Sequence, residues 1–487
     1  MFDPVPGTMN LPELERRRLS WWREHHVLND YLKRNGRSPK RFSFIDGPIT
    51  ANNPMGIHHA WGRTYKDLFQ RFRTMQGYRQ RYQNGFDCQG LWVEVEVEKE
   101  LGFKSKRDIE DFGIGRFVEL CKERVLHFSK RQTEQSIRLG YFMDWDNSYY
   151  TMSDENNYMI WSFLKRCHEH GWIYRGHDVM PWCIRCGTAL SEHEIATEGY
   201  REIEHQSVYI RLPLLNRSNE YLLVWTTTPW TLLANVAAAV NPDLTYVAVE
   251  QAGAIYYLSK RTVSTALHGS FKVVAELQGS QLIGWRYRGP FDDLPVASDI
   301  EHEILPWTEV GEEEGTGIVH IAPSCGREDL HLWQSLKAAR DAEKHVPIPS
   351  PIDELGVYIA GFGDFTGQDV ATVALAVFES LASRGMLYRV QPYLHRYPVC
   401  WRCGSELVFR LVDEWFIALD EVRSQIMRVA EQIHWIPSFG LERELDWLRN
   451  MDDWMISKKR YWGLALPFFP CPNCGHLEVI ARRDELA

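Results

Sequence analysis

An α/β chain interrupted by a β-rich insertion is the fold class this sequence predicts, on three observations. Residues 41–56, RFSFIDGPITANNPMG, run from a buried strand (42–45) through a turn rich in Pro, Asn and Gly. A helical stretch marked by Lys66, Asp67, Leu68 and Phe72 follows, and strand, polar loop and helix in that order open a nucleotide-binding α/β unit. After Cys186 the character changes: segments 205–214, 220–228, 244–259 and 316–322 are short, rich in Val, Ile, Tyr and Thr, and separated by Gly, Asn and Pro. That pattern belongs to a β-barrel or sandwich. From about Arg410 a helical, Trp-rich pattern returns, as though the first domain resumed. The predicted division is therefore 1–182, an insertion over 183–403 with its β-rich part at about 195–395, and 404–487.

The remaining elements follow from periodicity. The stretch to about Asn35 is charged and helical in pattern. Phe117, Cys121, Val125 and Phe128 recur at helical spacing and predict one amphipathic helix over 109–138. Helices at 328–343 and 369–384 interrupt the β-rich region. No repeat and no low-complexity tract is present.

A length of 487 residues calls for more than one domain, and 44% apolar residues suffice for real cores. The net charge of −10 excludes a protein coated in nucleic-acid-binding charge, though not a local basic patch. No apolar run is long enough to span a bilayer, and MFDPVPGTMNLPELERRR lacks the charged-then-apolar order of a secretory signal. The expectation is a cytoplasmic protein with no membrane partner and with reduced or metal-bound thiols.

Six of the ten cysteines form three Cys-x-x-Cys-Gly knuckles: Cys183/Cys186, Cys400/Cys403 and Cys471/Cys474. Each supplies two thiolates from one turn, and a structural zinc needs four ligands at tetrahedral corners. A redox pair is the alternative, but the Gly after each second Cys suits a turn whose N–H groups face thiolates. Cys183, Cys186, Cys400 and Cys403 are thus the expected Zn2+ ligands, clamping the base of the insertion. Cys471/Cys474 has no fourth pair before Ala487, so the chain reads as part of something longer. Cys88, Cys121, Cys167 and Cys325 read as ordinary small residues.

Residues 46–67, DGPITANNPMGIHHAWGRTYKD, resemble the first active-site motif of class I aminoacyl-tRNA synthetases, and most nearly those of the isoleucyl branch. The resemblance spans almost the whole chain, through GFDCQGLWVEVEVEKELG (85–102), PWCIRCGTALSEHEIA (181–196), VWTTTPWTLLANVAAAVNP (224–242), GTGIVHIAPSCGREDL (315–330), YPVCWRCGSELVFRLVDEWFI (397–417) and DWMISKKRYWG (453–463). It implies an incomplete Rossmann-type nucleotide-binding domain interrupted by an inserted β-barrel-like editing domain. It implies ATP with Mg2+, isoleucine and tRNA(Ile) as substrates and partners, with zinc in a structural role.

Activating an amino acid requires its carboxylate to attack the α-phosphate of ATP, with donors on the phosphate and a carboxylate for the substrate ammonium. By resemblance His59 helps hold the ATP phosphates as the catalytic His, Pro48 lines the amino-acid pocket, and Asp87 receives the ammonium. Gly56, His58 and Trp462 complete the amino-acid and ATP site. The family's motif reads His-x-Gly-His, whereas this chain has Gly56-Ile57-His58-His59, with His58 where Gly lets adenine approach. The second catalytic motif, a Lys-Met-Ser-Lys-Ser loop, has no match: Met455-Ile456-Ser457-Lys458-Lys459 precedes RYWG and is expected at a helix end or loop near the active site. The chain alone is accordingly expected not to form isoleucyl-adenylate at a useful rate, and a complementary C-terminal chain is a conceivable partner.

Thr226-Thr227-Thr228-Pro229-Trp230-Thr231 matches the isoleucyl rather than the valyl or leucyl version of its segment. Isoleucine and valine differ by one methylene, worth roughly 1–3 kcal/mol, so a second pocket must hydrolyse valine products. The resemblance places Thr227, Thr228, Asn235, His320 and Asp329 in that pocket, with Asp329 on the substrate ammonium. Simple β-propensity explains single threonines, but poorly explains three followed by Pro-Trp-Thr. The leading reading is an isoleucine–tRNA ligase with valine editing, present as a truncated or split chain. An editing-only module and an inactive fragment are the alternatives.

Overall fold

The computed structural model describes residues 8–43, 47–191, 194–195, 199–340 and 348–486. It divides into two compact units. One comprises Met1–Ile173, Ile417–Asp453 and Lys459–Ala487; the other comprises Tyr174–Phe416 and Trp454–Lys458. Together they make a mixed α/β protein. Among the described residues no helix is long and apolar enough to cross a membrane.

The first unit holds a three-stranded parallel sheet, with Gln83–Asp87 between Ile49–Thr50 and Asp144–Tyr150. Parallel neighbours need crossover connections. The helix Ile57–Met75 supplies the first, and Leu91–Leu101 with Ile114–Arg138 the second. Phe86, Cys88, Val93, Val97, Ile109, Phe117, Cys121, Val125 and Trp462 form one core cluster. The Cys121 thiol is pushed up chiefly by that burial, which suits the small apolar role the sequence suggests.

Two expectations are corrected here. The segment 109–138 is not one helix: Gly113, at φ 102°, closes Arg107–Phe112 and starts Ile114–Arg138, because only glycine takes that backbone readily. The strand expected to be buried at 42–45 is described only as Arg41–Ser43, paired with Arg79–Arg81. Phe42 is half-buried while its neighbours point outward and are exposed, as alternation in a one-sided ladder dictates. Residues 44 and 45 lie outside the described residues.

Beneath Leu91–Leu101, the Lys106 ammonium pairs with Glu94 and Glu98, whose side chains are fully buried. The second Glu94 oxygen accepts the N–H groups of Tyr461 and Trp462, each at 2.7 Å. Removing the Lys106 ammonium would take its charge away from two buried carboxylates, and breaking such a cluster costs about 3–5 kcal/mol. Lys106→Met is therefore expected to lower the urea stability of this unit by about that amount, and an unchanged midpoint would contradict it.

The second unit is β-rich. An open six-stranded sheet runs in the order Lys272–Gln278, Thr245–Gln251, Ala254–Ser259, Glu220–Thr226, Tyr200–Pro213 and Leu387–Pro398. A three-stranded sheet of Ile304–Pro306, Ala237–Val240 and Val319–Ile321 joins the same unit. The expected strand at 244–259 is a hairpin, turning at Ala252-Gly253 where both φ angles are positive. The helices fall at Arg327–Arg340 and Ala374–Ser383; residues 341–343 of the first expectation lie outside the described residues.

The helical pattern read from about Arg410 begins too early. Val408–Ile417 is a strand in a four-stranded sheet with Ile173–Cys183, Thr188–Ala189 and Trp454–Met455. The helices Asp420–Ala430 and Gly440–Asn450 come only after it. The 455–459 run, expected at a helix end or loop, starts inside this sheet. There the Trp415 N–H donates to the Ser457 hydroxyl at 2.7 Å.

Candidate functional site

In the second unit, Cys183, Cys186, Cys400 and Cys403 bring four sulfurs within 4.8 Å of one another, though the pairs lie more than two hundred residues apart. The Cys183 and Cys403 sulfurs are 3.5 Å apart. Gly187 and Gly404 follow the two turns with φ of 55° and 75°, which folds each pair of thiols to one side. Four crowded thiols share protons unequally: hydrogen bonds from Cys183 and Cys186 hold Cys403 well below the thiol range, and contact with Cys186 pushes Cys183 far up. A soft cation matches this donor set, since it replaces the contested protons with four bonds. Among the described residues this is the one such group. Cys471 and Cys474 sit in the first unit beside the hairpin of Phe468–Pro470 and Leu477–Val479, with Cys474 exposed.

The first unit places Asp87 opposite Thr50 in parallel register, and the Thr50 hydroxyl donates to Asp87 Oδ2 at 2.9 Å. Pro48 precedes that strand and is half-buried. Trp462 is held close by: its indole N–H donates to the Cys88 carbonyl at 2.5 Å, and its carbonyl accepts the Gly90 N–H at 2.9 Å. Gly56 caps the helix Ile57–Met75, and its N–H donates to His59 Nδ1 at 3.1 Å. His59 in its neutral form thus carries its proton on Nε2. Burial, then the neighbouring His58 and Arg63, hold its pKa below the usual imidazole value. The His58 ring lies 3.8 Å from that of His59, and a Cβ at Gly56 would come within 2.8 Å of His58. The His58-for-Gly change is thereby matched by a Gly at 56.

The second unit links the remaining residues through a short polar chain. The Thr231 hydroxyl donates to the Thr228 carbonyl at 2.8 Å and meets His320 Nε2 at 3.0 Å. It must accept there, so His320 carries its proton on Nε2 and leaves Nδ1 a bare acceptor. That Nδ1 is buried without a hydrogen-bond partner. Burial lowers the His320 pKa to about 4, so the ring is neutral at physiological pH. Asn235 donates to the Ala237 carbonyl at 2.8 Å and accepts from the Tyr287 hydroxyl at 2.9 Å. Ala238 lies opposite His320 in the antiparallel pair. Two residues beyond His320, the Ala322 N–H donates to Asp329 Oδ2 at 2.8 Å. Burial, with a smaller push from Glu328, raises the Asp329 pKa to about 6. Gly326 leaves room for this carboxyl, because a Cβ there would meet Asp329 Cγ at 2.9 Å.

Thr227 and Thr228 also line a cavity of about 160 Å³ that Asn235, His320 and Asp329 do not border. His205 and Glu406, which the sequence did not single out, also line it. Thr231 was quoted only as part of a segment, yet it is the bridge from Thr228 to His320. Thr231→Val keeps the shape and removes that bridge, leaving a buried imidazole N–H without a partner. A loss of about 1–3 kcal/mol in urea stability is expected; no loss would mean that the bridge contributes nothing.

A family profile described as tRNA synthetases class I (I, L, M and V) matches residues 17–486. The chain is similar to the isoleucine–tRNA ligase of Thermus thermophilus, with 38% identity over 492 residues, covering 100% of this chain and 46% of that protein. The Methanopyrus kandleri isoleucine–tRNA ligase is 37% identical over 97% of this chain and 45% of its own length. That of Streptomyces coelicolor is 36% identical over 100% and 46%. The chain thus spans about half the length of these curated relatives. With the profile covering nearly every residue from the helix Leu11–Glu24 to the Cys471/Cys474 hairpin, this chain belongs to the class I tRNA synthetases of the I, L, M and V group.

Proposed function

We propose that this chain is the N-terminal part of an isoleucine–tRNA ligase and carries its hydrolytic editing site in the second unit. The observation that carries the reading is the hydrogen-bonded Thr228–Thr231–His320 chain, with Asp329 held by the Ala322 N–H two residues beyond His320. A valyl ester offers an ammonium, a carbonyl and a small branched side chain. Asp329, once ionised, would hold the ammonium; the bare Nδ1 of His320 would accept a hydrogen bond from water or amine; the threonine hydroxyls would orient the ester. Water attacks the carbonyl carbon, the ester C–O bond breaks, and the proton goes to the released ribose oxygen. The pocket works by excluding the larger isoleucyl group rather than by binding valine tightly, since one methylene supplies little discrimination.

In the first unit, Asp87 and His59 would serve isoleucine and the phosphates of ATP with Mg2+, on tRNA(Ile) as acceptor. Thr50 orients the Asp87 carboxylate, and the Gly56 N–H sets the His59 tautomer so that Nε2–H is the donor. Cys183, Cys186, Cys400 and Cys403 would hold a structural Zn2+, whose chemistry there is cross-linking and not catalysis. Release of valine from Val-tRNA(Ile) by the purified chain tests the editing reading directly. Release no faster than in buffer, at RNA concentrations high enough to compensate for weak binding, would overturn it.

A further inference from the structure

The helix Ile57–Met75 of the first unit is amphipathic with its faces reversed. Its buried residues are Arg63, Asp67, Gln70 and Thr74, all of them polar. Each has a fixed partner. Arg63 donates to the Ser136 hydroxyl at 2.8 Å and to Asn84 Oδ1 at 3.1 Å. Asp67 Oδ1 accepts the Phe142 N–H at 3.0 Å. The Tyr31 hydroxyl donates to Gln70 and lies 2.9 Å from that of Thr74. Rolling the helix would break these bonds together, so its orientation is set by its polar side.

Ile57, Trp61, Tyr65, Leu68, Phe72 and Met75 therefore face outward. Trp61 is 63% exposed, Leu68 62% and Phe72 53%, whereas Gln70 is 0% exposed. From Trp61 to Met75 the spacing runs four, three, four, three, which is the seam of a helix packed against another helix. Such a helix is about 28 Å long, and folded monomers rarely leave an apolar stripe of that length to water. The strand that leads into it has an open side as well. Ile49–Thr50 lies at the edge of the parallel sheet and pairs, among the described residues, with Gln83–Asp87 alone.

We propose that this outward face is the docking surface for the half of the ligase that the chain does not contain. The assignment rests on the reading of this chain as the N-terminal part of the enzyme. Its relatives carry more than half of their length outside the match, since this chain covers 46% of the Thermus thermophilus protein and 45% of the Methanopyrus kandleri one. The polar face is already taken by Val27–Lys33, Gln83–Asp87 and Ile114–Arg138, so an added polypeptide meets the apolar one. A second copy of this chain fits less well. Lys66 and Arg73 are half-buried cations on this helix, and its one carboxylate, Asp67, is buried on the polar side. Two such faces would set cation against cation. The occupant's surface is therefore an apolar helix stripe with carboxylates at its margin. Seated along the helix, it would also border His59 in the first turn.

The test co-expresses the 487-residue chain with the part of the Thermus thermophilus ligase that lies beyond the match, and reads mass by light scattering over a dilution series. A one-to-one complex is expected. Leu68→Glu with Phe72→Glu should weaken it by about a hundredfold or more, because two charges then enter the seam. Leu68→Met should bind within about threefold of wild type. The double variant should leave the urea midpoint of the chain alone unchanged, because both side chains are exposed there. Absence of a complex, or binding indifferent to the double variant, overturns the surface. A lowered midpoint in the double variant also overturns it, because the face would then be covered within the chain itself. So does a dimer of the chain alone that the double variant dissociates, since a second copy would be the occupant. Isoleucine-dependent exchange of pyrophosphate with ATP separates the two claims: a complex without exchange counts against the ligase reading and leaves the surface standing.

Discussion

Asp329→Ala is expected to reduce hydrolysis of Val-tRNA(Ile) by about two to three orders of magnitude, the effect of leaving a desolvated ammonium without its carboxylate. The same side chain is a burden on the fold. Burial raises its pKa from 3.8 to about 6, so the folded state prefers the protonated form. Stability from this group is fully present below about pH 3.8 and is lost as pH rises through about 6. At neutral pH the ionised carboxylate therefore opposes folding by up to about 3 kcal/mol. Asp329→Asn should then raise the urea stability of the second unit at pH 7 while abolishing hydrolysis. Activity should require the ionised form and rise through about pH 6. A variant both less stable and fully active would contradict the assignment on both counts.

Metal removal should produce the second large effect. The purified chain is expected to retain about one zinc, and Cys183→Ser with Cys400→Ser should lose it. Such a cross-link would join residues more than two hundred positions apart in one unit, and its loss would free the end of the strand Ile173–Cys183 and the turn that follows Leu387–Pro398. The melting temperature of the second unit is expected to fall by about 10 °C or more. Zinc content and melting temperature unchanged in the double variant would remove the metal from the account. Cys471 and Cys474, with no second pair near them among the described residues, should contribute little to the bound zinc.

What the sequence made legible was local. The Cys-x-x-Cys-Gly turns declare themselves in five residues, because two thiols and a left-handed glycine suffice to define the turn. The helix Ile57–Met75 after the Pro-, Asn- and Gly-rich turn was readable too, whereas the strand Ile49–Thr50 lies inside the stretch read as turn. The break at Gly113 was hidden by good helical periodicity on both sides, and only the backbone shows that this glycine sits at φ 102°. The strand Val408–Ile417 was masked by its Arg, Asp, Glu and Trp content; its neighbour Ile173–Cys183 lies far away in sequence. The Thr231–His320 bridge spans 89 residues and the His205–Glu406 contact 201. No spacing rule reaches across such distances. His205 is flanked by Glu204 and Gln206, so nothing in its local pattern set it apart.

The most direct measurement compares hydrolysis of Val-tRNA(Ile) with that of Ile-tRNA(Ile) by the same purified chain at pH 7.5. A pocket that excludes the larger side chain predicts a ratio above about two-hundredfold in favour of valine, beyond the roughly tenfold to two-hundredfold that one methylene supplies by contact alone. Equal rates for the two esters would contradict a size-selective editing site in the second unit.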